Sequence, residues 1–336
     1  MSSVFISGIG AVSPAGWGVD SMSQAVERNI PIQSVSISSP VPNSKIQVRP
    51  VPACKVRPVY LSHPRLRRSS PVSQYAAAAA VEAFGTQSAE AKIGIIFSFQ
   101  SGCVQYADRF YGETLREPET ASPLLFPETV LAAPTSHTAC VFKNVPITET
   151  LVGDPGTFLQ GMAMGANLLF SGQVDKCIVI GAEESSWLVS SAFQLWNQSA
   201  IGACGAGAVC LSLNPRDSIG VELKAITDSF AYSTIIPRNK AAASMRAELP
   251  SSGDNVLLCD GVQNLGMTDM AEKQVWSDWQ GPRISPKLIL GDGLCAAAAW
   301  QCVLAIQRLR QKRESAAIVS VVGCNQQAIG AYFTQT

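Results

Sequence analysis

The sequence predicts an α/β fold built from two similar halves, and three observations support this prediction. The chain has 336 residues, which exceeds the usual size of one domain. Continuous apolar runs such as 177–182 are typical of strands covered on both faces, and they alternate with small-residue segments that suit enclosed helices. The pattern of strand, Gly-Asp and small-residue helix also occurs twice, at 151–154 and at 289–292.

Composition indicates a large core with little charged surface. Hydrophobic residues make up 47% of the chain, charged residues 15%, and the net charge is zero. This balance gives no electrostatic attraction to nucleic acid or to a membrane surface, and no run approaches the roughly 20 apolar residues of a membrane span. The start, MSSVFISGIG, lacks the basic and apolar regions of a signal peptide. We therefore expect a soluble, cytoplasmic protein that binds neither nucleic acid nor membrane.

Ten cysteines are scattered through the chain, many of them in apolar runs. No pair has metal-ligand spacing such as C-x-x-C. This distribution is typical of reduced thiols that pack as small hydrophobes in a cytosolic protein. We predict neither a metal site nor a cofactor.

The first half begins with a strand at 4–9 and a helix at about 19–28. Residues 31–68 are rich in Pro, Ser and Val without periodicity, which indicates an irregular surface excursion with short strands. The remaining elements predicted for this half are helix 73–84, strand 92–98, helices 102–115 and 124–141, strand 147–152, helix 157–170, and strands 177–182 and 205–213.

The second half repeats the alternation of apolar strands with small-residue helices. Its central helix opens with Gly291-Asp292, whereas helix 157–170 follows the turn 153–156. The predicted elements are strands 219–230, 256–261 and 287–290, helix 291–310, and strands 317–322 and 328–333.

Several of these motifs resemble the β-ketoacyl synthases of the thiolase superfamily. The opening VFISGIGAVSPAGWGVD is similar to the first strand and loop of that family, and 146–181 is similar to the segment around its nucleophilic cysteine. Gly323-Cys-Asn325 is similar to its Gly-Gly-x-Asn turn. The resemblance covers nearly the whole chain and implies a thiolase-like fold, with duplicated βαβαβ halves in a layered α-β-α-β-α sandwich. We place the halves at 1–215 and 216–336, with the excursion 31–68 in the first.

The same resemblance identifies the positions at which this chain lacks the family's catalytic residues. The family condenses acyl groups with a cysteine thiolate and two histidines whose N–H groups stabilise an enolate. At the cysteine position this chain offers Gly153, Asp154 or Pro155, depending on a one-residue gap, and Asp260 and Asp292 stand in place of the histidines. An ionised aspartate accepts hydrogen bonds and cannot donate them. We therefore expect this chain to be inactive in condensation by itself.

The aspartates have a structural interpretation and a chemical one. Asp154 precedes a proline and a predicted helix, so we interpret it as an N-cap, with a catalytic base as the alternative. The same interpretation applies to Asp292 in the second half. A further hypothesis brings Asp154, Asp260 and Asp292 together in one pocket, where they would raise one another's pKa or gather a cation. The candidates for lining that pocket are His137, Asp154 and Asn325.

Two further features carry functional hypotheses. Thr138-Ala139-Cys140 imitates the nucleophile motif of the family, but it lies about a full helix too early and bulky residues follow it. We predict that Cys140 is a buried structural cysteine. The basic cluster Arg65, Arg67 and Arg68 is either a solvated face or a docking site for an acidic acyl carrier protein.

The resemblance favours a non-catalytic subunit of the chain-length-factor type. Such a pseudoenzyme pairs with an active ketosynthase in type II fatty-acid or polyketide biosynthesis, with acyl carrier protein as a further partner. Pairing with a second copy of itself stays open. Two alternatives remain: an acyl hydrolase or transferase that uses a carboxylate on the same fold, and a scaffold that binds acyl carrier protein or acyl-CoA without turnover.

Overall fold

The computed structural model describes residues 3–39, 46–86, 90–196, 200–251, 253, 255–324 and 326–336. The strands are β1 (Val4–Ser13), β2 (Gly16–Trp17), β3 (Val35–Ile37), β4 (Ile46–Arg49), β5 (Ile93–Phe99), β6 (Ile147–Val152), β7 (Lys176–Glu183), β8 (Gly202–Ala203), β9 (Gly205–Ser212), β10 (Val221–Ile226), β11 (Phe230–Ala231), β12 (Val256–Cys259), β13 (Arg283–Ile284), β14 (Ala316–Val322) and β15 (Gln327–Gln335). The helices are α1 (Val19–Arg28), α2 (Pro71–Phe84), α3 (Val104–Arg116), α4 (Ala133–Ala139), α5 (Thr157–Phe170), α6 (Trp187–Trp196), α7 (Arg238–Ala247), α8 (Gly266–Val275), α9 (Pro286–Leu290) and α10 (Cys295–Arg310).

The main sheet shows the predicted duplication. In the first half, β6 and β5 pair in parallel, as do β5 and β7, whereas β7–β9 and β9–β1 are antiparallel. In the second half, β13, β12, β14, β15 and β10 repeat these four pairings in the same order. The two halves join where β1 pairs antiparallel with β10. The fold class predicted from the sequence is confirmed, while the boundary at 215/216 stays a prediction.

Part of the excursion 31–68 forms a small separate sheet in the order β3-β4-β8. The pairing of β4 with β8 ties this segment to the first half just before β9. The prediction of short strands in an otherwise irregular excursion is therefore confirmed.

Helices α5 and α10 lie in the core because small residues let them approach the sheet closely. Helix α10 contacts β7 and β9 of the first half and β14 of the second. A Cβ added at Gly207 would lie 2.7 Å from the Ala299 side chain, and one added at Gly181 would lie 2.9 Å from it. The Trp300 indole N–H donates to the carbonyl oxygens of Val12 (3.1 Å) and Ala206 (3.0 Å). The central helix is thereby fixed to β1 and β9.

Three predicted elements are wrong. The segment 287–290 is part of the short helix α9 rather than a strand, because Pro286 begins a helical turn. Helix 124–141 is replaced by a 3₁₀ turn, Phe126–Thr129, and the short α4, with Pro127 and Pro134 at their starts. The long strand 219–230 is divided into β10 and β11. The other predicted helices and strands are confirmed with shifted ends.

Among the described residues, no helix combines the length and the apolar composition needed to cross a membrane.

Candidate functional site

The turns that precede α5 and α10 lie against each other. The Cys295 Sγ at the start of α10 lies 3.6 Å from the carbonyl oxygen of Gly153 and 3.5 Å from that of Asp154. Burial raises the pKa of the Cys295 thiol, and the neighbouring carboxylates, including Asp154 and Asp292, raise it further. The duplicated fold therefore brings two of the three aspartates into one buried region.

All three aspartates are buried and make the same local hydrogen bond. Asp154 is 1% exposed, Asp260 0% and Asp292 4%. In each case Oδ1 accepts the backbone N–H two residues further along the chain, at 3.1 Å from Gly156, 3.0 Å from Val262 and 2.9 Å from Leu294. This is an Asx turn, which a short carboxylate side chain forms with its own backbone. Each aspartate therefore stabilises a tight turn.

Asp154 also links the two halves of the fold. Its Oδ2 accepts the backbone N–H groups of Gln326 and Gln327, both at 3.2 Å, and its Oδ1 accepts the Gln327 side-chain amide at 3.0 Å. A Cβ at Gly323 would lie only 1.9 Å from Oδ2, so the carboxylate packs directly against that glycine. Burial raises the pKa of Asp154, while the hydrogen bonds from Gln327, Gly156 and Gln326 oppose the shift.

The prediction that Asp154 is the N-cap of α5 is wrong. Helix α5 begins at Thr157, and Gly156 occupies the N-cap. Asp154 instead holds the turn before the helix and the start of β15. The same prediction for Asp292 is also wrong, because Leu294 is the N-cap of α10.

Asp260 and Asp292 each pair with a cation that sequence reasoning missed. Asp260 accepts hydrogen bonds from the Arg283 guanidinium and from the Ser285 hydroxyl, the latter at 2.7 Å. Asp292 accepts from the Lys287 ammonium at 3.1 Å and from the Gln263 amide at 2.9 Å. The sequence does contain a signal for Lys287, because a charged residue inside the otherwise apolar run 286–290 needs a partner if that run is buried.

The ion pair of Lys287 and Asp292 is held inside the protein, because both side chains are buried. Burial lowers the pKa of Lys287, but the carboxylates of Asp292 and Glu272 outweigh that effect, so that its pKa is raised. The Lys287 ammonium therefore keeps its proton at neutral pH. Within the residues that the structure describes, no three His, Cys, Asp or Glu side chains are placed to hold a metal ion.

No protein-family model and no curated protein sequence matches the chain. Solved structures do match it along its whole length. A β-ketoacyl synthase from Burkholderia phymatum superposes with a TM-score of 0.83 at 15% identity, covering 100% of both chains. A ketosynthase complex with its chain length factor from Xenorhabdus doucetiae gives 0.78 at 16% identity, covering 100% of this chain and 98% of the matched one. A type II polyketide acyl-carrier protein in complex with its ketosynthase gives 0.81 at 17% identity, covering 100% of both.

The fold is that of the β-ketoacyl synthases. The sequence resemblance and the superposition agree on this point.

Within this ketosynthase fold, the space beside Asp292 is nearly filled. A cavity of about 20 Å³ lies there, and its walls include Glu183, Glu184, Ser185 and Leu294. A volume of roughly 10–15 Å³ holds one water molecule, so this cavity is far too small for an acyl chain.

The other predicted site residues lie apart from the aspartates or outside the described residues. The His137 Nε2 is 2.8 Å from Glu128 Oε1, and this pair is nearly buried. Asn325 lies outside the described residues. Arg65, Arg67 and Arg68 are all exposed, in the turn before α2.

The prediction that Cys140 is buried is wrong. Cys140 is half-buried at the end of the short helix α4. Helix α4 ends at Ala139, so Cys140 lies in the turn after a short helix rather than inside a long one.

Buried glutamates next to the aspartates make stability depend on pH. Burial raises the pKa of Glu183 and Glu272 to about 8 and that of Glu184 to about 7. The folded state therefore keeps protons that the unfolded chain releases above the ordinary glutamate pKa. By linkage, the free energy of unfolding falls as pH rises from the unfolded pKa through the folded value.

We expect the urea midpoint of unfolding to be higher at pH 6 than at pH 8.5. Glu184→Gln should reduce this difference, because it removes one of the titrating groups while keeping the oxygen that accepts the Gln105 N–H. The matched control is Glu119→Gln at an exposed position, which should leave the difference unchanged. An equal pH dependence in Glu184→Gln and the parent chain would contradict the assignment.

Proposed function

We propose that this protein is a non-catalytic, cytoplasmic ketosynthase-like subunit that pairs with an active ketosynthase in type II fatty-acid or polyketide biosynthesis. The supporting observation concerns three positions of this chain. By the sequence resemblance, they correspond to the reactive cysteine and the two histidines of the ketosynthases. Each holds an aspartate that is buried and occupied by internal hydrogen bonds. None of them supplies a thiolate or an N–H donor for an enolate.

One of the two edge strands of the main sheet, β6, supports a partner subunit. In the described part of the chain, β6 has a neighbouring strand on one side only. Val152 on β6 is an exposed apolar side chain, and Phe126, Val130 and Leu131 are exposed in the segment just before α4. Helix α4 contacts both this segment and β6. An unpaired strand beside an apolar surface is typical of a protein–protein interface.

A groove of about 740 Å³ extends from this edge toward the turn held by Asp154. Its walls include Val152 on β6, Gln160 on α5 and Tyr232 after β11. A subunit seated on β6 would cover this groove. One matched structure is a ketosynthase in complex with its chain length factor, which supports the choice of partner.

The proposal is tested by co-expression with a ketosynthase encoded beside this protein. We expect a 1:1 complex by native mass spectrometry and a changed product length when this chain is omitted. A protein that stays monomeric beside such a synthase would contradict the proposal, as would acyl-chain elongation by this chain alone. A complex of two copies of this chain would support a homodimer instead.

The exposed basic cluster Arg65, Arg67 and Arg68 is proposed as the docking site for acyl carrier protein. Val56 and Val59 nearby are 81% and 89% exposed, so charged and apolar groups share this surface. An acidic partner is attracted to such a patch at low salt. One matched structure is described as an acyl-carrier protein bound to its ketosynthase.

The double variant Arg65→Glu/Arg67→Glu should weaken binding of acyl carrier protein by about tenfold or more at low salt. Fluorescence anisotropy with labelled carrier protein would measure the change in Kd. Arg310→Glu reverses an exposed charge at the end of α10 and serves as the control. Equal affinities of the double variant and the parent chain would exclude this surface.

A further inference from the structure

A hydrogen bond between nearly buried side chains joins the 3₁₀ turn Phe126–Thr129 to helix α4. The His137 Nε2 lies 2.8 Å from Glu128 Oε1, and the two side chains are 14% and 13% exposed. An ionised carboxylate only accepts hydrogen bonds, so the imidazole N–H is the donor. The other polar atoms of the pair, His137 Nδ1 and Glu128 Oε2, are buried without a partner among the described residues. Within that part of the chain, this bond is therefore the polar contact that holds both side chains.

The segment 126–131, which this bond anchors near its middle, carries exposed apolar side chains. Phe126, Val130 and Leu131 are 58%, 48% and 48% exposed. The Phe126 ring lies 5.5 Å from the Phe110 ring of α3, measured between centroids. At the other end, the Leu131 side chain packs against Gly102, where an added Cβ would lie 2.9 Å from it. The segment thus presents apolar groups to solvent while its ends and its middle are held.

Helix α4 is itself fastened to the edge strand β6. The Thr135 Oγ1 on α4 lies 2.6 Å from the Thr150 Oγ1 on β6. Two side-chain hydrogen bonds therefore join three parts of the first half in series, namely the segment 126–131, α4 and β6. The partner subunit is proposed to sit on β6, so the segment is tied to the same surface.

We propose that the hydrogen bond between Glu128 and His137 positions the segment 126–131 relative to β6, so that both form one preorganised surface for the ketosynthase. A surface that is ordered before binding loses less side-chain and loop entropy on association, which raises affinity. Glu128 and His137 are positioning residues, because they are nearly buried and act through the exposed apolar side chains beside them. This inference rests on the proposed pairing with a ketosynthase.

The composition of the segment also defines the partner surface that it fits. Between residues 126 and 131 the charged residue is Glu128, and its carboxylate is held by His137 rather than presented outward. The exposed groups are an aromatic ring and branched aliphatic side chains. A charge placed against them would be desolvated without a partner. The complementary surface of the ketosynthase is therefore apolar.

The experiment removes the hydrogen bond while it keeps a ring at position 137. His137→Phe has no N–H, whereas His137→Gln retains a side-chain N–H donor. Hydrogen exchange of the free full-length chains and native mass spectrometry with the ketosynthase encoded beside this protein give the two readouts. We expect His137→Phe to raise exchange across 126–131 by about fivefold or more and to weaken pairing by about tenfold or more. His137→Gln should keep both values within about threefold of the parent chain.

Lys176→Met is the matched control for a general loss of stability. It removes another ion pair with a buried member, in which the Lys176 ammonium lies 2.7 Å from Asp217 Oδ2 at the start of β7. We expect this variant to have a lower urea midpoint but parent values for exchange across 126–131 and for pairing. Equal weakening of pairing in Lys176→Met and His137→Phe would overturn the proposal, because the effect would then follow stability alone.

The remaining outcomes separate this inference from the proposed function. If the parent chain pairs with the ketosynthase and His137→Phe pairs equally well, the positioning role is overturned and the proposed function stands. Unchanged exchange across 126–131 in His137→Phe would also overturn the positioning role. If the parent chain itself does not pair, both proposals fail. Faster exchange and weaker pairing in His137→Phe, with recovery of both in His137→Gln, would support the inference.

Discussion

Asp154→Ala is expected to lower the free energy of unfolding by about 3 kcal/mol or more, since a buried donor left without an acceptor costs about 1–3 kcal/mol. The substitution removes the acceptor of the backbone N–H groups of Gly156, Gln326 and Gln327. The turn before α5 and the start of β15 would lose their shared anchor. Urea denaturation followed by tryptophan fluorescence would measure the change.

Two further variants show whether the carboxylate acts through structure. Asp154→Asn keeps one acceptor oxygen, so we expect a smaller loss of stability than with alanine. Asp175→Ala is the control, because this exposed aspartate also accepts one backbone N–H, from Lys92. The change at Asp175 should stay within about 0.5 kcal/mol. Retained stability in Asp154→Asn together with loss of a hydrolase or transferase activity would instead make Asp154 a catalytic base.

Local sequence signals predicted the elements that have strong periodicity and no internal proline. The apolar run of β7 and the small residues of α5 are examples. An element that is buried on all sides consists almost entirely of apolar or small residues, and this composition can be recognised in the sequence. The segment 287–290 shows the limit. Its apolar residues suit a strand or a buried helix equally, and the proline at its start decides for the helix.

The sequence predicted that Asp154 and Asp292 lie in matching turns before two helices, but it did not predict the side chains that contact them. Asp154 is held by Gln327, a residue 173 positions away in the chain. Arg283 reaches Asp260 because β13 pairs with β12 in parallel, with Cys259 opposite Ile284. A single sequence carries no signal for such contacts, since they depend on the register of strands distant in the chain.

The repeat of the fold explains why aspartate suits two of these positions. Asp154 and Asp292 occupy matching turns before the matching helices α5 and α10, and each accepts the N–H two residues ahead. A carboxylate at such a position stabilises the turn, whereas a thiol or an imidazole would be a reactive group. The same type of turn-forming residue thus has the same local role in both halves.

Val152→Arg is expected to abolish or strongly weaken pairing with a ketosynthase. Val152 is 53% exposed at the end of β6. A guanidinium buried in the proposed interface must be desolvated without a partner, which should lower affinity by at least about tenfold. Native mass spectrometry of the co-expressed chains would measure the fraction of complex.

Met270→Arg is the matched control for this variant. Met270 is 56% exposed on α8 in the second half, whereas β6 lies in the first half. The two substitutions therefore add the same charge at similar exposure, and they differ in whether they lie on β6. Loss of the complex in Val152→Arg alone would place the partner on β6, because a general effect of surface charge would appear in both variants. A stable complex in Val152→Arg would show that the partner binds elsewhere. The unpaired side of β6 would then not be the interface with the ketosynthase.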